Sequence, residues 1–426
     1  MHLVLVNHYA GSPEHGMEFR PHAMARQWVM DGHEVTVLAG SWSHLRNRNP
    51  HVEAKVREES IDGIRYRWLR TPRYSGNGLG RIRSIHAFLR GVDRERRGFL
   101  ADRGVDAVIA SSTYPFDIDP CRRIAREHDA TLVWEVHDLW PLSPIELKGF
   151  SPRHPFVRVT QRAEDRCCRD ADLVVSMLPK AIDHLATRGL DPGKYMVVPN
   201  GVDLENIPDL ESIPTEADTA FEELRRNHDF IVGYAGSHTT SYGIEALLDA
   251  VRSVENASVG VLLIGDGPAK ADLEARASDL AGIRFLDRMP RQPALASLRR
   301  CDAVFVGLRA KPLFRFGIGM NKIFDAMLVE RPVIAAYTAG NDPIGSAGCG
   351  IRVPAEDVEG IAAGLRTIMA LDEDARSALG VAGGQYLREH HDHRVLARMF
   401  IEGIEAAAKQ ESLDESSRSR SHGTPP

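Results

Sequence analysis

FIVGYAG (Phe230–Gly236), VGVLLIGDGP (Val259–Pro268), IRFLD (Ile283–Asp287), CDAVFVGL (Cys301–Leu308) and RPVIAAY (Arg331–Tyr337) decide how the second half of the chain folds. Each is a short apolar run rich in Val, Ile or Leu, and each leads into a longer segment of helical period. Strands buried on both faces of a sheet read this way, because helices cover both sides and leave no face for polar alternation. The first half repeats the pattern. Strands are expected at Leu3–Val6, Glu34–Leu38, Ala107–Ala110, Thr131–Val136, Leu173–Ser176 and Met196–Val198, with a first crossover helix at Met17–Met30. An α/β protein of two doubly wound, Rossmann-like domains follows. The first is expected over residues 1–203 and the second over 229–384, with an acidic, proline-bearing linker at 204–228. A last helix at about 385–409 is expected to return to the first domain, and residues 410–426, without periodicity, to be disordered. Open sheets bind ligands beyond the carboxyl ends of their strands, so an active site in a cleft between the two domains is expected.

With 426 residues the chain exceeds what one hydrophobic core serves. Its formal charge of −6 lacks the basic excess of a nucleic-acid binder, so no nucleic-acid partner is expected. The five cysteines form no C-x-x-C pair and no regular framework, which points to reduced thiols and a cytoplasmic location. The start, MHLVLVNHYAG, reads as strand and turn, not as a signal peptide, and no run of about 18 apolar residues occurs.

The chemistry centres on FRFGIGMNKIFDAM (Phe314–Met327), a basic, glycine-broken loop that enters an amphipathic helix. Gly317 and Gly319 allow close backbone approach, Asn321 can cap the helix, and the first free N–H groups favour an anion. Arg315 and Lys322 add positive charge. Asp325, one turn in, can accept hydrogen bonds from hydroxyls, so a diphosphate joined to a sugar fits both ends. The plain alternative is a surface pair between Lys322 and Asp325, worth a few tenths of a kcal/mol.

Several further segments, in order, resemble one family. DGHEVTVLAG (Asp31–Gly40), WEVHDLWP (Trp134–Pro141), VPNGVD (Val198–Asp203), YAGSHTTSYGIEALLDA (Tyr234–Ala250) and GVLLIGDGP (Gly260–Pro268) make nearly the whole chain similar to retaining GT-B glycosyltransferases of glycosyltransferase family 4. The Phe314–Met327 loop most resembles the branch with a G-I-S-P-N-K-L-F-D-Y-M type loop, which includes enzymes that extend diphosphate-lipid-linked oligosaccharides in cell-envelope polysaccharide assembly. The resemblance implies that the second domain binds a nucleoside diphosphate sugar, most readily a UDP-sugar. By the same match Asp325 stands where a glutamate holds the ribose hydroxyls, and the backbone of Gly317, Ile318, Gly319, Met320 and Asn321 cradles the diphosphate and sugar. Gly236 and Ser237 match the loop that closes over the phosphates, Gly265 and Gly267 follow the next strand, and Arg288 and Met289 lie where the family presents backbone to the base. On the acceptor side it implies His137 and Asp138 near the transferred sugar, Trp140 shaping a wall, Gly16 in the loop that opens the first helix, and Asn200 in a tight turn.

Two departures from the family stand out. Gly317 occupies the position, eight before Asp325, where a glutamate normally contacts the transferred sugar. The usual basic pair is absent too: Ser237 and His238 stand near one position, and Tyr242 near the other, which leaves Arg309, Lys311, Arg315 and Lys322 to supply charge. The implied reaction is retaining and metal-independent, with His137, Lys322 and Arg315 as the catalytic set and no cofactor besides the nucleotide sugar. Charge placed where the leaving diphosphate develops charge accelerates such a transfer, and a phosphate oxygen can take the acceptor's proton. No Asp-x-Asp follows a suitable strand, since Asp117, Ile118 and Asp119 sit in a turn headed by Pro115.

His390, His391 and His393 invite a metal reading, but they fall where the family starts its last helix, so a structural role there is expected and no metal. Residues 81–103 set Ile82, Ile85, Leu89, Val92 and Phe99 at helical spacing among Arg83, Arg90, Arg94, Arg96 and Arg97. That is either a crossover helix with a solvated face or a peripheral contact for an anionic membrane, for which a lipid-linked acceptor gives a reason. Two other classes stay open: a nucleotide-sugar 2-epimerase of the same fold and a non-catalytic nucleotide-sugar-binding protein.

Overall fold

The computed structural model describes residues 1–16, 19–76, 78–207, 210–254 and 259–421. The chain forms two compact units, Met1–Pro199 with His393–Pro426, and Asn200–Asp392.

The first unit is built on eight strands: β1 (His2–Val6), β2 (Glu34–Gly40), β3 (Val56–Ile61), β4 (Ile64–Leu69), β5 (Ala107–Ala110), β6 (Thr131–Val136), β7 (Leu173–Ser176) and β8 (Tyr195–Val197). They lie in the order β3-β4-β2-β1-β5-β6-β7-β8, parallel except for the β3–β4 hairpin. That hairpin was not expected. IRYRWL alternates apolar and charged residues and VREESI is mostly polar, so neither runs apolar throughout, and Asp62 and Gly63 close the hairpin with φ of 51° and 77°. The first helix is Arg20–Met30; Met17 and Glu18 lie outside the described residues. It packs on the last helix, His393–Ser421, where Trp28 meets Phe400 edge to face at 5.2 Å and donates from Nε1 to Ala397 O at 3.1 Å. The last helix continues through part of the segment expected to be disordered. Residues 411–421 contain neither Gly nor Pro, and a formed helix gains one hydrogen bond for each residue it adds.

Helix Leu79–Arg97 follows β4 and buries Ser84, Phe88, Gly91, Val92, Glu95 and Arg96. The expected apolar stripe is therefore displaced. Ile82 faces outward, and Arg96 turns inward to pair with Asp93 and Glu127, which satisfies its charge.

The second unit holds six parallel strands, β9 (Phe230–Ala235), β10 (Val259–Ile264), β11 (Ile283–Leu286), β12 (Ala303–Gly307), β13 (Val333–Ala336) and β14 (Gly350–Val353), ordered β11-β10-β9-β12-β13-β14. The winding reverses between β9 and β12, the place where such sheets open a ligand crevice. The expected linker at 204–228 contains a helix, Thr215–Arg225, that belongs to this unit. Its Ala217, Ala220, Phe221 and Leu224 form one buried stripe against Ile231, Leu262 and Leu286, and its acidic residues in between gave the segment the look of a tether. Helix Glu373–His390 also stays in the second unit, so only the part from His393 on returns to the first.

Candidate active site

Parallel strands end on one side of their sheet, and the second unit gathers its polar loops there. Helix Asn321–Leu328 follows β12 through the turn Pro312–Phe316, and its first turn carries Lys322. Lys322 reaches back across the reversal point. Its Nζ donates to the Tyr234 hydroxyl at 2.7 Å and lies 3.5 Å from the centroid of the Tyr242 ring. Aromatic faces carry negative charge density, so the two tyrosines hold an ammonium that has no carboxylate partner among the described residues. Gly236 makes this possible, because a Cβ there would collide with Nζ. Tyr234 in turn donates to Ser237 O at 2.9 Å, which fixes the loop after β9. Burial lowers the Lys322 pKa to about 7, opposed by the nearby Asp325 carboxylate. His238 is buried beside them. Burial and the charges of Lys270 and Lys322 push its pKa down to about 4, so it is neutral at ordinary pH.

The loop in front of Lys322 is shaped by two asparagines. Asn341 accepts from Ile318 N–H at 2.8 Å and donates to Ile318 O at 3.1 Å, while Asn200 Nδ2 donates to Gly319 O at 2.9 Å. The N–H groups of Gly319, Met320, Asn321 and Lys322 are left without an acceptor among the described residues. They belong to the start of a helix, where unbonded donors and the helix dipole add up to partial positive charge. Asn321 does not cap this helix: Met320 holds the extended capping backbone, without a side-chain cap, and Asn321 is the exposed first helical residue. Gly317 has φ of 118°, a backbone that side-chain-bearing residues rarely adopt, so the missing glutamate reflects the loop's path as well as its chemistry.

The remaining residues expected on this side have definite places. Asp325 Oδ1 accepts from Arg291 Nε at 3.0 Å, so Arg291, and not Lys322, is its ion partner. Arg315 is exposed and folds onto its own turn, with its guanidinium 4.2 Å from the Phe316 ring and 2.6 Å from Pro312 O; it is not joined to Lys322. Gly265 N–H donates to Leu286 O at 3.0 Å, tying the loop after β10 to the end of β11, and Gly267 N–H donates to Asp266 Oδ1 at 2.7 Å within the loop. Exposed Arg288 and half-buried Met289 follow β11 at that same end. Asn200 was expected on the acceptor side, yet it belongs to the second unit and to this loop. His391 accounts for the placement: its Nδ1 lies 2.8 Å from Asn200 O, and its ring packs 4.2 Å from Phe324 on the Lys322 helix. Within the histidine tract, His391 thus has a bracing role. Among the described residues no cluster of His, Cys, Asp or Glu is placed to hold a metal.

In the first unit His137 follows β6, its side chain only 3% exposed. Its Nε2 lies 2.9 Å from Ser111 Oγ and 3.1 Å from Glu135 Oε2, while Glu135 Oε1 accepts from Arg20 Nε at 2.9 Å. Burial alone would raise the Glu135 pKa, but Arg20, His137 and the Ser111 hydroxyl hold it far below the usual carboxylate range. Arg20, Ser111 and Glu135 were not expected. The available signal was Glu135 itself, a charge in the middle of the apolar strand TLVWEV, which demands a buried partner. Asp138 accepts from Leu139 N–H at 2.9 Å and Ser143 Oγ at 2.5 Å, and Trp140 meets Phe156 edge to face at 5.9 Å. Gly16 closes a small turn onto Ser12 O at 2.8 Å beside Asn47. Asp117 and Asp119 are committed to different partners, the Ser112 N–H and Arg166.

Residues 15–201 match the model of the Glycosyl transferase 4-like domain, and residues 229–370 match that of Glycosyl transferases group 1. Both units are glycosyltransferase domains. The chain is similar to sucrose-phosphate synthase from Thermosynechococcus elongatus, at 16% identity and a TM-score of 0.67, over 94% of this chain and 97% of that one. It is similar to HepE of Anabaena in complex with UDP-glucose, at 16% identity and TM-score 0.61, over 95% and 100% of the two chains. A third similar structure is WaaG, a glycosyltransferase involved in lipopolysaccharide biosynthesis, at 15% identity, TM-score 0.61, and coverage of 95% and 99%. The glycosyltransferase units thus have the GT-B architecture of two Rossmann-like domains. Lys322 and the open N–H groups lie in the group 1 domain, and His137 in the 4-like domain.

Because Lys322 loses its proton near neutral pH, anion binding to the group 1 domain should weaken as pH rises. Sulfate, which does not titrate in this range, should bind on the order of tenfold more tightly at about pH 6 than at about pH 8.5. Calorimetric titration should show that slope in the parent protein and not in Lys322→Met; a pH-independent affinity in the parent would contradict the assignment.

Proposed function

We propose that this protein is a retaining, metal-independent glycosyltransferase that moves a sugar from a UDP-sugar to a hydroxyl of a glycan or lipid-linked oligosaccharide in cell-envelope polysaccharide synthesis. The observation that carries the reading is the Lys322 ammonium, held between Tyr234 and Tyr242 at the head of a helix whose first N–H groups are open. The diphosphate sits on those N–H groups, beside Lys322. Asp325, fixed at one oxygen by Arg291, offers the other to the ribose hydroxyls. Arg315 is a second cation at the loop's outer edge. His137, oriented by Ser111 and Glu135, hydrogen-bonds a hydroxyl of the transferred sugar.

In the reaction the bond from the sugar's anomeric carbon to the diphosphate breaks, and a bond to the acceptor oxygen forms on the same face. The acceptor's proton passes to a phosphate oxygen. Lys322 and the helix N–H groups meet the charge that builds on the leaving group, which is where an enzyme gains most. The sequence Asn321-Lys322 within the loop supports the G-I-S-P-N-K-L-F-D branch, and the UDP-glucose bound by HepE supports the donor class.

A peripheral membrane contact fits the acceptor class. Helix Leu79–Arg97 exposes Arg83, Arg90, Arg94 and Arg97, preceded by Leu79 and Ile82 at 72% and 51% exposure. Apolar residues followed by cations on one face suit an anionic bilayer surface.

Acceptor-dependent release of UDP from a UDP-sugar is the expected activity, and sugar interconversion without UDP release would replace it with the epimerase reading. Lys322→Ala should lower turnover by about a hundredfold or more, the cost of removing a charge partner from the transition state. Parent-level turnover in that variant would remove the proposed phosphate site. Co-sedimentation with vesicles containing phosphatidylglycerol should be lost on Arg90→Glu, Arg94→Glu and Arg97→Glu together; unchanged sedimentation would dismiss the membrane contact.

A further inference from the structure

A second site stands at the carboxyl ends of β2 and β4 in the first unit. There a cavity of about 620 Å³ is lined by Ser41 and Trp42 after β2, Asn49 to Val52 before β3, Arg70 to Arg73 after β4, and Ala87 of helix Leu79–Arg97. Its size falls among small-molecule sites, about 300–1,000 Å³. No residue of it belongs to the machinery described above.

The walls are held in place before any ligand arrives. Buried Arg46 donates to Ala10 O and Gly40 O, each at 2.7 Å, and anchors the segment after β2. Asn49 ties that segment to itself, accepting from Ser43 N–H at 2.8 Å and donating to Ser43 O at 3.1 Å. The two loops are then joined: Thr71 N–H donates to Ser41 Oγ at 2.9 Å, Trp42 N–H to Thr71 Oγ1 at 3.1 Å, and Trp42 Nε1 to Tyr74 O at 3.2 Å. Trp42 is thereby fixed as a half-buried aromatic wall.

The rim is cationic in a chain whose net charge is −6. Many arginines of this unit are matched to acids, among them Arg65 with Glu34, Arg67 with Glu58, Arg122 with Asp170, Arg123 with Asp93 and Arg188 with Asp165. Arg70 and Arg73 are not. Arg70 donates to the backbone oxygen of Glu53 at 3.1 Å, and Arg73 lies 5.2 Å over the Trp42 ring, with no carboxylate partner for either among the described residues. Two forked guanidinium groups beside an aromatic wall match a sugar that carries an anion.

We propose that this cavity binds an anionic saccharide, one bearing a carboxylate or a phosphate, with Arg70 and Arg73 on the anion and Trp42 against the sugar ring. As the subsite for the acceptor it rests on the glycosyltransfer reading; as a binding site it stands apart from it.

Ligand-observed saturation-transfer NMR on the full chain tests this with methyl glucuronide, glucose 1-phosphate and methyl glucoside. At least one of the anionic sugars should bind about tenfold or more tightly than the neutral one, the usual value of charged hydrogen bonds. Which of the two anionic sugars binds better distinguishes carboxylate from phosphate. Arg70→Gln with Arg73→Gln should bring that affinity down to the level of methyl glucoside, and Trp42→Ala should weaken all three sugars, while UDP affinity stays at the parent value as the check on folding. Equal affinity for charged and neutral sugars, or full anionic affinity in the double arginine variant, would overturn the proposal. Anionic sugar binding in a parent protein that fails to bind UDP would leave the cavity standing and remove the transfer reading.

Discussion

The site of the second unit depends on one half-buried cation. Lys322 has given up much of its hydration, and its compensation comes from two tyrosines instead of a carboxylate. An acid in hydrogen-bond contact would have satisfied the charge and removed it from use. Tyrosines hold the ammonium in place and leave its charge available, at the cost of a pKa close to neutrality. The local backbone follows from this: glycine at 236 because Nζ passes there, and a helix that begins at Asn321 so that its second residue can reach β9.

The surroundings of His137 and of Lys322 handle charge in opposite ways. In the first, Glu135 is fully paired, by Arg20 on one oxygen and by Ser111 and His137 on the other. A buried carboxylate so enclosed positions a ring and does not take part in proton transfer near neutral pH. In the second, donors are kept open, on the backbone at residues 319–322 and on Lys322. A rigid, satisfied network on one side and a set of unmet donors on the other suits a division between orienting a sugar and receiving a leaving phosphate.

Most of the fold was legible because buried parallel strands leave continuous apolar runs, and all of the expected strands are present at or within a residue or two of their expected bounds. The β3–β4 hairpin escaped that filter because VREESI is mostly polar and IRYRWL interleaves charges with its apolar residues, although Asp62-Gly63 was a readable turn. Helix Thr215–Arg225 escaped because its acidic residues masked a narrow stripe of Ala217, Ala220, Phe221 and Leu224. In the site, the glycine-broken loop and Lys322 were legible because loop and helix start are local in sequence. Their supports were not. Asn341 stands 23 residues from Ile318, and Arg20 stands 115 from Glu135, so neither pairing leaves a spacing to read. The attachment of Asn200 to the second unit was not legible, because its turn follows the last strand of the first unit, while its side chain and carbonyl are bonded to Gly319 and His391.

The central claim is that the head of helix Asn321–Leu328 receives the diphosphate. Hydrogen exchange measured segment by segment, with and without saturating UDP, tests it most directly. Residues 318–324 should gain protection on UDP binding, because the open N–H groups acquire phosphate oxygens as acceptors. UDP binding that leaves exchange in this segment unchanged, with protection appearing elsewhere, would contradict the account.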